Sequence, residues 1–318
     1  MKNIYLNIYK PNSANLKKAK KNIVNNNIIG LPTETVYGLA GNAYSNKSVK
    51  KIFQLKKRPL INPLIIHYKN LKSLENDVVC NQFFIKLYKA FCPGPITFVL
   101  RLKPESKISK IALARKKTVA VRIPKHKIAR KFLKMLDVPL AAPSANMSSK
   151  LSPTCAKDVI DEFSNKIKIV LDGGRCQVGL ESTIIDLTGK PTILRSGFIS
   201  SKKINNVLKE KVLTNKYSKT IKSPGQLKFH YSPGIPVYMN KVNAKKGGAF
   251  ISFGKKFKNA KNYFNLSKKS DLNEAANSLY KIMRNIKKLK FKSISVCKIP
   301  NSGLGQAIND RLKKASNK

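Results

Sequence analysis

The sequence predicts an α/β protein: a larger unit over residues 1–210, a linker over 211–235 and a smaller α/β unit over 236–318. Three observations predict it. Short β-branched runs bounded by Pro or Gly alternate with segments whose apolar residues recur at helical spacing. The stretch 211–235 is polar and broken by Pro and Gly, as linkers are. A length of 318 residues suits two domains, at roughly 100–200 residues each.

In chain order, an amphipathic segment at 13–27 leads into IIGLPTETVYGLA, a short apolar strand followed by a turn. Residues 47–57 (KSVKKIFQLKK) have helical spacing, with Val49, Ile52, Phe53 and Leu55 on or near one face. PLIIHY (63–68) reads as a buried strand, and GPITFVLRL (94–102), TVAVRIP (118–124) and VPLAAPSA (138–145) as further strands. Helices are expected at 81–91, 126–136 and 155–164, then strands in IKIVLDGG, STIIDLT and PTILRSG. Beyond the linker come a strand (GAFISF), a helix (NEAANSLYKIMRNIKKL), a strand (SISVCKIP) and a last helix (GLGQAINDRLKKA).

Composition narrows the classes. At 42% hydrophobic residues the chain can bury a core. No apolar run approaches the ~20 residues that span a bilayer. The N-terminal MKNIYLNIYK lacks a signal-peptide core, which predicts a cytoplasmic protein. The five cysteines are odd in number and form no CxxC pair, which argues against a zinc site or a disulfide framework. A net charge of +49 would suit a polyanion such as RNA, but the lysines are scattered through helices, loops and tails rather than gathered on one face. Beside 55 lysines there are only nine arginines. Where this chain uses Arg, a planar bidentate fork is needed, and Arg58, Arg122 and Arg195 lie in apolar, turn-rich stretches.

Several stretches carry candidate chemistry. PTETVYG (32–38) places Thr33, Glu34, Thr35 and Tyr37 directly after an apolar strand, where α/β sheets bind ligands. In LKKRPLINPLIIH (55–67), Lys56 and Arg58 share a side if the helix exit is extended. A point charge beside a fork suits a phosphate; a solvated basic turn is the plainer alternative. Arg122 stands in an alternating strand on the face of Ala120 and requires an anion, either a substrate carboxylate or one of the few acids. APSANMSSKLSPT (142–154) offers Ser144, Asn146 and Ser152 in a hydroxyl-rich loop of the kind that cradles phosphates. LDGGRCQVGLESTIID spends Asp172, Glu181 and Asp186 within fifteen residues, with Ser182 opening a strand. GLGQA (303–307) reads as an anion nest or a tight strand-to-helix turn. No GxxxxGK[ST] loop, GxSxG elbow or HExxH occurs, so an enzyme built from these parts works by positioning and electrostatics.

In order along the chain, PTETVYGLA, IFQLKKRPLINPLIIH, CPGPITFVL, VAVRIPKH, APSANMSSKLSPT, DGGRCQVGLESTIID, ILRSG, SPGQLKFHYSP and IPNSGLGQAINDRLKKA resemble the YrdC-like threonylcarbamoyl-AMP synthases in their long, two-domain form. The resemblance implies a twisted mixed-sheet YrdC-like domain followed by a Rossmann-like one. It implies a nucleotidyltransferase that makes threonylcarbamoyl-AMP and pyrophosphate from ATP, L-threonine and bicarbonate, for a downstream transferase that modifies tRNA. By the family pattern Lys56, Arg58, Ser144 and Asn146 form the catalytic cluster. Asn62, Thr118, Ser152, Arg195 and Tyr231 join Arg58 and Ser144 around ATP, while Thr35, His67, Arg122, Ala142 and Ser182 surround threonine. Mg2+ is expected on the ATP phosphates rather than in a protein cage. Tyr231 falls in a linker that folds over the site, and weak tRNA or double-stranded RNA binding is a further expectation. The chain departs from the pattern with Ser196 where proline is usual and Cys92 where tryptophan is common. Two other readings stand beside this one: a basic RNA-binding module without catalysis, and the same fold acting on another carbamoyl compound.

Overall fold

The computed structural model describes residues 4–214, 223–225, 229–256 and 260–316. Parts of the linker (215–222) and of SPGQLKFHYSP (226–228) lie outside the described residues. The larger unit is a mixed α/β structure around a twelve-stranded sheet, with Ile8–Tyr9 at one edge and Leu213–Thr214 at the other. Five adjacent strands position the site: Ile65–His67, Thr118–Arg122, Ile96–Leu102, Thr183–Asp186 and Thr192–Arg195. The first two are parallel, with His67 paired to Arg122. Ile96–Leu102 runs against Thr118–Arg122 and along Thr183–Asp186. His67, Arg122, Ser182 and Arg195 therefore come to the same end of the sheet.

Alternation decides what each face does. Ile66, Val121, Phe98 and Ile185 point into the main core, where Val49, Ile52 and Phe53 of helix Asn46–Lys56 also pack. Ile65, Ala120 and Ile184 point to the opposite face, and His67 and Arg122, two residues further along their strands, share that side. Helix Asn46–Lys56 begins at the Ser45 hydroxyl, which accepts from the Ser48 N–H, and ends at Lys57 in the left-handed region at φ 48°. The exit is thus a left-handed cap rather than the extended segment expected, and Lys56 and Arg58 take different directions from it.

The smaller unit is a four-stranded, wholly parallel sheet in the order Val237–Tyr238, Ile294–Val296, Ala249–Ser252, Tyr263–Asn265. Helices Leu272–Lys288 and Leu304–Ser316 cover it through Leu279, Met283, Ile308 and Leu312. Several elements escape the periodicity. GLAGN (38–42) is a second strand antiparallel to Ile29–Leu31. Val237–Tyr238 and Tyr263–Asn265 are short strands in polar surroundings, and Leu71–Glu75 and Ser201–Leu208 are helices. Of VPLAAPSA only Leu140–Ala141 forms a strand; Ser144 contributes a lone bridge to Gly38. No helix among the described residues is long and apolar enough to cross a membrane.

Candidate active site

One cavity at the shared sheet end gathers Thr35, Arg58, His67, Arg122, Ala142, Ser144, Ser182, Arg195 and Tyr231 in its wall. These are nine of the fourteen residues to which the resemblance gives a catalytic, ATP or threonine role. The linker closes it through Pro224, His230 and Tyr231, and its volume is about 40 Å³. A buried water takes roughly 10–15 Å³ on this measure, so the space admits a few waters and nothing larger.

The other five candidates stand behind the wall. Lys56 is buried, with its ammonium donating to the carbonyls of Ser144 (2.5 Å) and Asn146. It fixes the backbone of the hydroxyl-rich loop instead of facing the cavity. Burial, and then the charge of Arg58, pull its pKa well below the ordinary lysine value. Asn146 continues that job by donating to the carbonyls of Met147 and Lys150. Asn62 aims Arg58: its backbone oxygen accepts from Nε at 2.9 Å and its Oδ1 from Nη2 at 2.6 Å, while Pro63 O takes Nη2 as well. Nη1 of Arg58 makes no hydrogen bond among the described residues. Ser152 donates to Glu181 at 2.5 Å. Thr118 begins the strand that Arg122 ends and is half-buried.

Arg122 has its anion within the protein. Nη2 donates to Glu34 at 2.6 Å and Nη1 to the Thr35 hydroxyl at 2.8 Å. The second Glu34 oxygen accepts from the N–H groups of Lys125 and His126. Thr33 holds that turn by donating to Val36 O and accepting from the N–H groups of Thr35 and Val36. A buried guanidinium needs a carboxylate, and the PTETVYG turn delivers one of the fifteen acids to it. The bidentate fork anticipated for a substrate carboxylate is therefore already engaged, and Nε is the donor left over.

Buried polar groups in native proteins are nearly always paired. Here four of the candidates keep an unpartnered buried atom: Nε of Arg122, Nδ1 of His67, the hydroxyl of Tyr231 and Oδ1 of Asn146. The first three belong to the cavity wall. Burial, then Arg122 beside it, push His67 down to about 3, so its ring is neutral near pH 7. Burial, then the charge of Arg195, pulls the Arg58 pKa down to about 9, and burial, with Arg311 adding to it, lowers that of Arg195; both guanidiniums stay charged even so. Arg195 is aimed by Ser182, through Nε to its carbonyl at 3.0 Å and Nη2 to its hydroxyl at 3.1 Å. Three cationic forks, two neutral histidines and one carboxylate, Glu181, make a wall that favours anions.

Glu181, noted among the scarce acids, is joined by Arg311 and Tyr280, which the motifs did not single out. Arg311, on the last helix, donates through Nε to Glu181 at 2.8 Å and through Nη2 to Ser196 O at 3.0 Å. Its guanidinium lies 5.0 Å from the Tyr231 ring. Tyr280 donates to Glu181 and stacks on Tyr231, ring centroids 6.0 Å apart. Burial by itself raises the Glu181 pKa, but Arg311 and Arg195 outweigh it and leave it at about 2. The signal was available: arginine scarcity, applied to the whole chain, points to Arg311 as it does to Arg58. The carbonyl of Ser196 anchors Arg311, a contact that proline would also make, so the structure gives no specific reason for the Ser196 departure.

A family model described as telomere recombination matches residues 21–197, and the model of the threonylcarbamoyl-AMP synthase C-terminal domain matches residues 199–317. A threonylcarbamoyl-AMP synthase of Pyrococcus abyssi is 37% identical over 313 residues, 91% of this chain and 90% of that one. One from Bacillus subtilis is 32% identical over 326 residues, 96% and 94% of the two chains. Among solved structures, P. abyssi Sua5 complexed with L-threonine superposes with a TM-score of 0.89 at 33% identity, covering 97% of this chain and 96% of its own.

Proposed function

The chain belongs to the threonylcarbamoyl-AMP synthase family, and on that footing we propose that its cavity converts L-threonine, bicarbonate and ATP into threonylcarbamoyl-AMP and pyrophosphate. It is an ATP-using nucleotidyltransferase that serves tRNA modification. The observation that carries the assignment of the cavity is its set of orphaned polar atoms, on His67, Arg122 and Tyr231, set among three buried arginines.

The threonine amine adds to bicarbonate with loss of water, giving a carbamate. A carbamate oxygen then attacks the α-phosphorus, the α–β bridging bond breaks and pyrophosphate leaves. Two anions must be held in line, and no protein nucleophile is needed. Holding them so is worth roughly 7–11 kcal/mol. Arg58 and Arg195 take the triphosphate, since their aim is fixed by Asn62 and Ser182 and their charge meets the phosphoryl oxygens. Lys56 acts through the Ser144–Asn146 backbone. Threonine lies against Thr35, His67, Ala142 and Ser182, with the Arg122 Nε–H donating to its carboxylate. Mg2+ would ride on the phosphates and neutralise their charge, because the wall's one carboxylate, Glu181, is taken by Ser152, Tyr280 and Arg311. With about 40 Å³ inside, ATP and threonine enter when the linker carrying Pro224, His230 and Tyr231 swings away, and its return excludes water. The threonylcarbamoyl-AMP leaves to a transferase that acts on tRNA.

Pyrophosphate release from ATP tests the reaction. It is expected to require both threonine and bicarbonate; release that continues without either contradicts the assignment. Arg122→Lys should raise the threonine KM at least tenfold while the ATP KM moves less than threefold. Lysine keeps the ion pair to Glu34 but has no Nε–H in the fork plane. Equal losses for the two substrates, read from steady-state kinetics, would remove Arg122 from the threonine side.

A further inference from the structure

The smaller unit carries a groove that shares no lining residue with the catalytic cavity. Because its four strands are parallel, the loops leaving Tyr238, Ser252, Asn265 and Val296 all depart from one edge. A concavity of about 920 Å³ runs along that edge and takes residues from every one of these loops, among them Lys241, Lys255, Lys268 and Lys298. The carboxyl edge of a parallel sheet is where α/β domains bind ligands. Helices Leu272–Lys288 and Leu304–Ser316 each follow a strand and so begin at the same edge; the first is capped by the Asp271 carboxylate, and the second adds the positive end of its dipole.

Composition by itself does not single this groove out, since 55 of 318 residues are lysine. Two further facts do. Six of its thirteen lining residues are lysines and none is an acid, whereas the lysine-bearing groove around Lys69 and Lys72 includes Asp137 and the one around Lys51 and Lys168 includes Glu162. The acids that follow the third loop are committed elsewhere: Asp271 accepts from the N–H groups of Asn273 and Glu274, and Glu274 accepts from the Ser267 hydroxyl. None of the six lysines makes an ion pair among the described residues. The remaining wall includes Val242, Phe253 and Pro300, an apolar surface on which a planar base packs. The loops also meet closely. Gly254, at φ 86°, lies in the left-handed region that favours glycine, and Ser270 Oγ stands 2.8 Å from where a Cβ would be.

We propose that this edge is a second nucleotide site, which holds a mononucleotide with its phosphates on the lysines and its base against Val242, Phe253 and Pro300. The volume falls within the ~300–1,000 Å³ of small-molecule sites, and the combination of a cationic floor with an apolar wall fits a nucleotide better than bare phosphate. Occupancy here is independent of the reaction proposed above.

Azido-ADP photolabelling of the full chain, with mapping of the labelled peptides, tests it. Two labelled regions are expected: the catalytic cavity, and residues 240–256 or 297–300. Excess ADP should protect both. The double charge reversal Lys268→Glu/Lys298→Glu changes two exposed side chains and should cut the second label at least tenfold, leaving cavity labelling and the melting temperature unchanged. Label confined to the cavity overturns the proposal, as does groove label that ADP cannot displace. Protection of the groove by tRNA but not by ADP also overturns it, in favour of a polynucleotide surface. Loss of the cavity label alone would count against the catalytic assignment and leave this one standing.

Discussion

Arg58→Ala is expected to slow pyrophosphate release by roughly two to three orders of magnitude, the cost of losing one preorganised donor to a developing anion. Arg58 sits at the centre of the cluster. Asn62 and Pro63 hold Nε and Nη2, so the remaining Nη1 is presented with little freedom. Most of that preorganisation resides in Asn62, whose side chain and carbonyl both grip the fork. Arg58→Lys should restore charge without geometry and recover only a small part of the rate. The loss should fall on kcat and on the ATP KM together, with threonine affinity nearly unchanged. A variant within threefold of the parent chain would show that the triphosphate lies elsewhere.

Arg311→Met should be the most destabilising single change in the protein, by about 3–5 kcal/mol, because it strands a buried carboxylate. Glu181 would keep the hydroxyls of Ser152 and Tyr280 as hydrogen-bond partners and only the more distant charge of Arg195. The same change releases Ser196 O and removes the cation beneath Tyr231, so activity should fall even at temperatures where the variant is folded. Chemical denaturation and kinetics on one preparation separate the two effects. Adding Glu181→Gln to Arg311→Met should recover part of the stability, since the stranded charge is gone. An additive double variant would mean that the pair is not coupled. The pH dependence carries the same signature. Glu181 is depressed from 4.5 to about 2, so its contribution is complete above 4.5 and is lost as the pH falls through 2.

How far the sequence reached depended on whether a feature is written locally. The α/β class was legible in β-branched runs alternating with helical spacing, whereas the twisted mixed sheet and the Rossmann-like second unit were implied only by the family resemblance. Val237–Tyr238 and Tyr263–Asn265 are too short to show a period, so they become visible only when Ile294–Val296 and Ala249–Ser252 stand beside them. Thr35, Arg58, Arg122, Ser144, Ser182 and Arg195 stood out as polar residues at turns and strand ends of a lysine-rich chain, whereas His67, Ala142 and Tyr231 entered through the family resemblance. Division of labour was not legible. That Lys56 grips carbonyls 88 and 90 residues away, and that Glu34 occupies Arg122, depends on loops folding back across the sheet. Arg311 could be flagged by its rarity, but not matched to Glu181, 130 residues before it.

The most direct measurement of the central claim is the mass of the product formed from ATP, threonine and carbon-13 bicarbonate. The account predicts threonylcarbamoyl-AMP carrying one heavy carbon, formed in step with pyrophosphate and lost in Arg58→Ala. Pyrophosphate released with AMP alone, or a product without the heavy carbon, would contradict it.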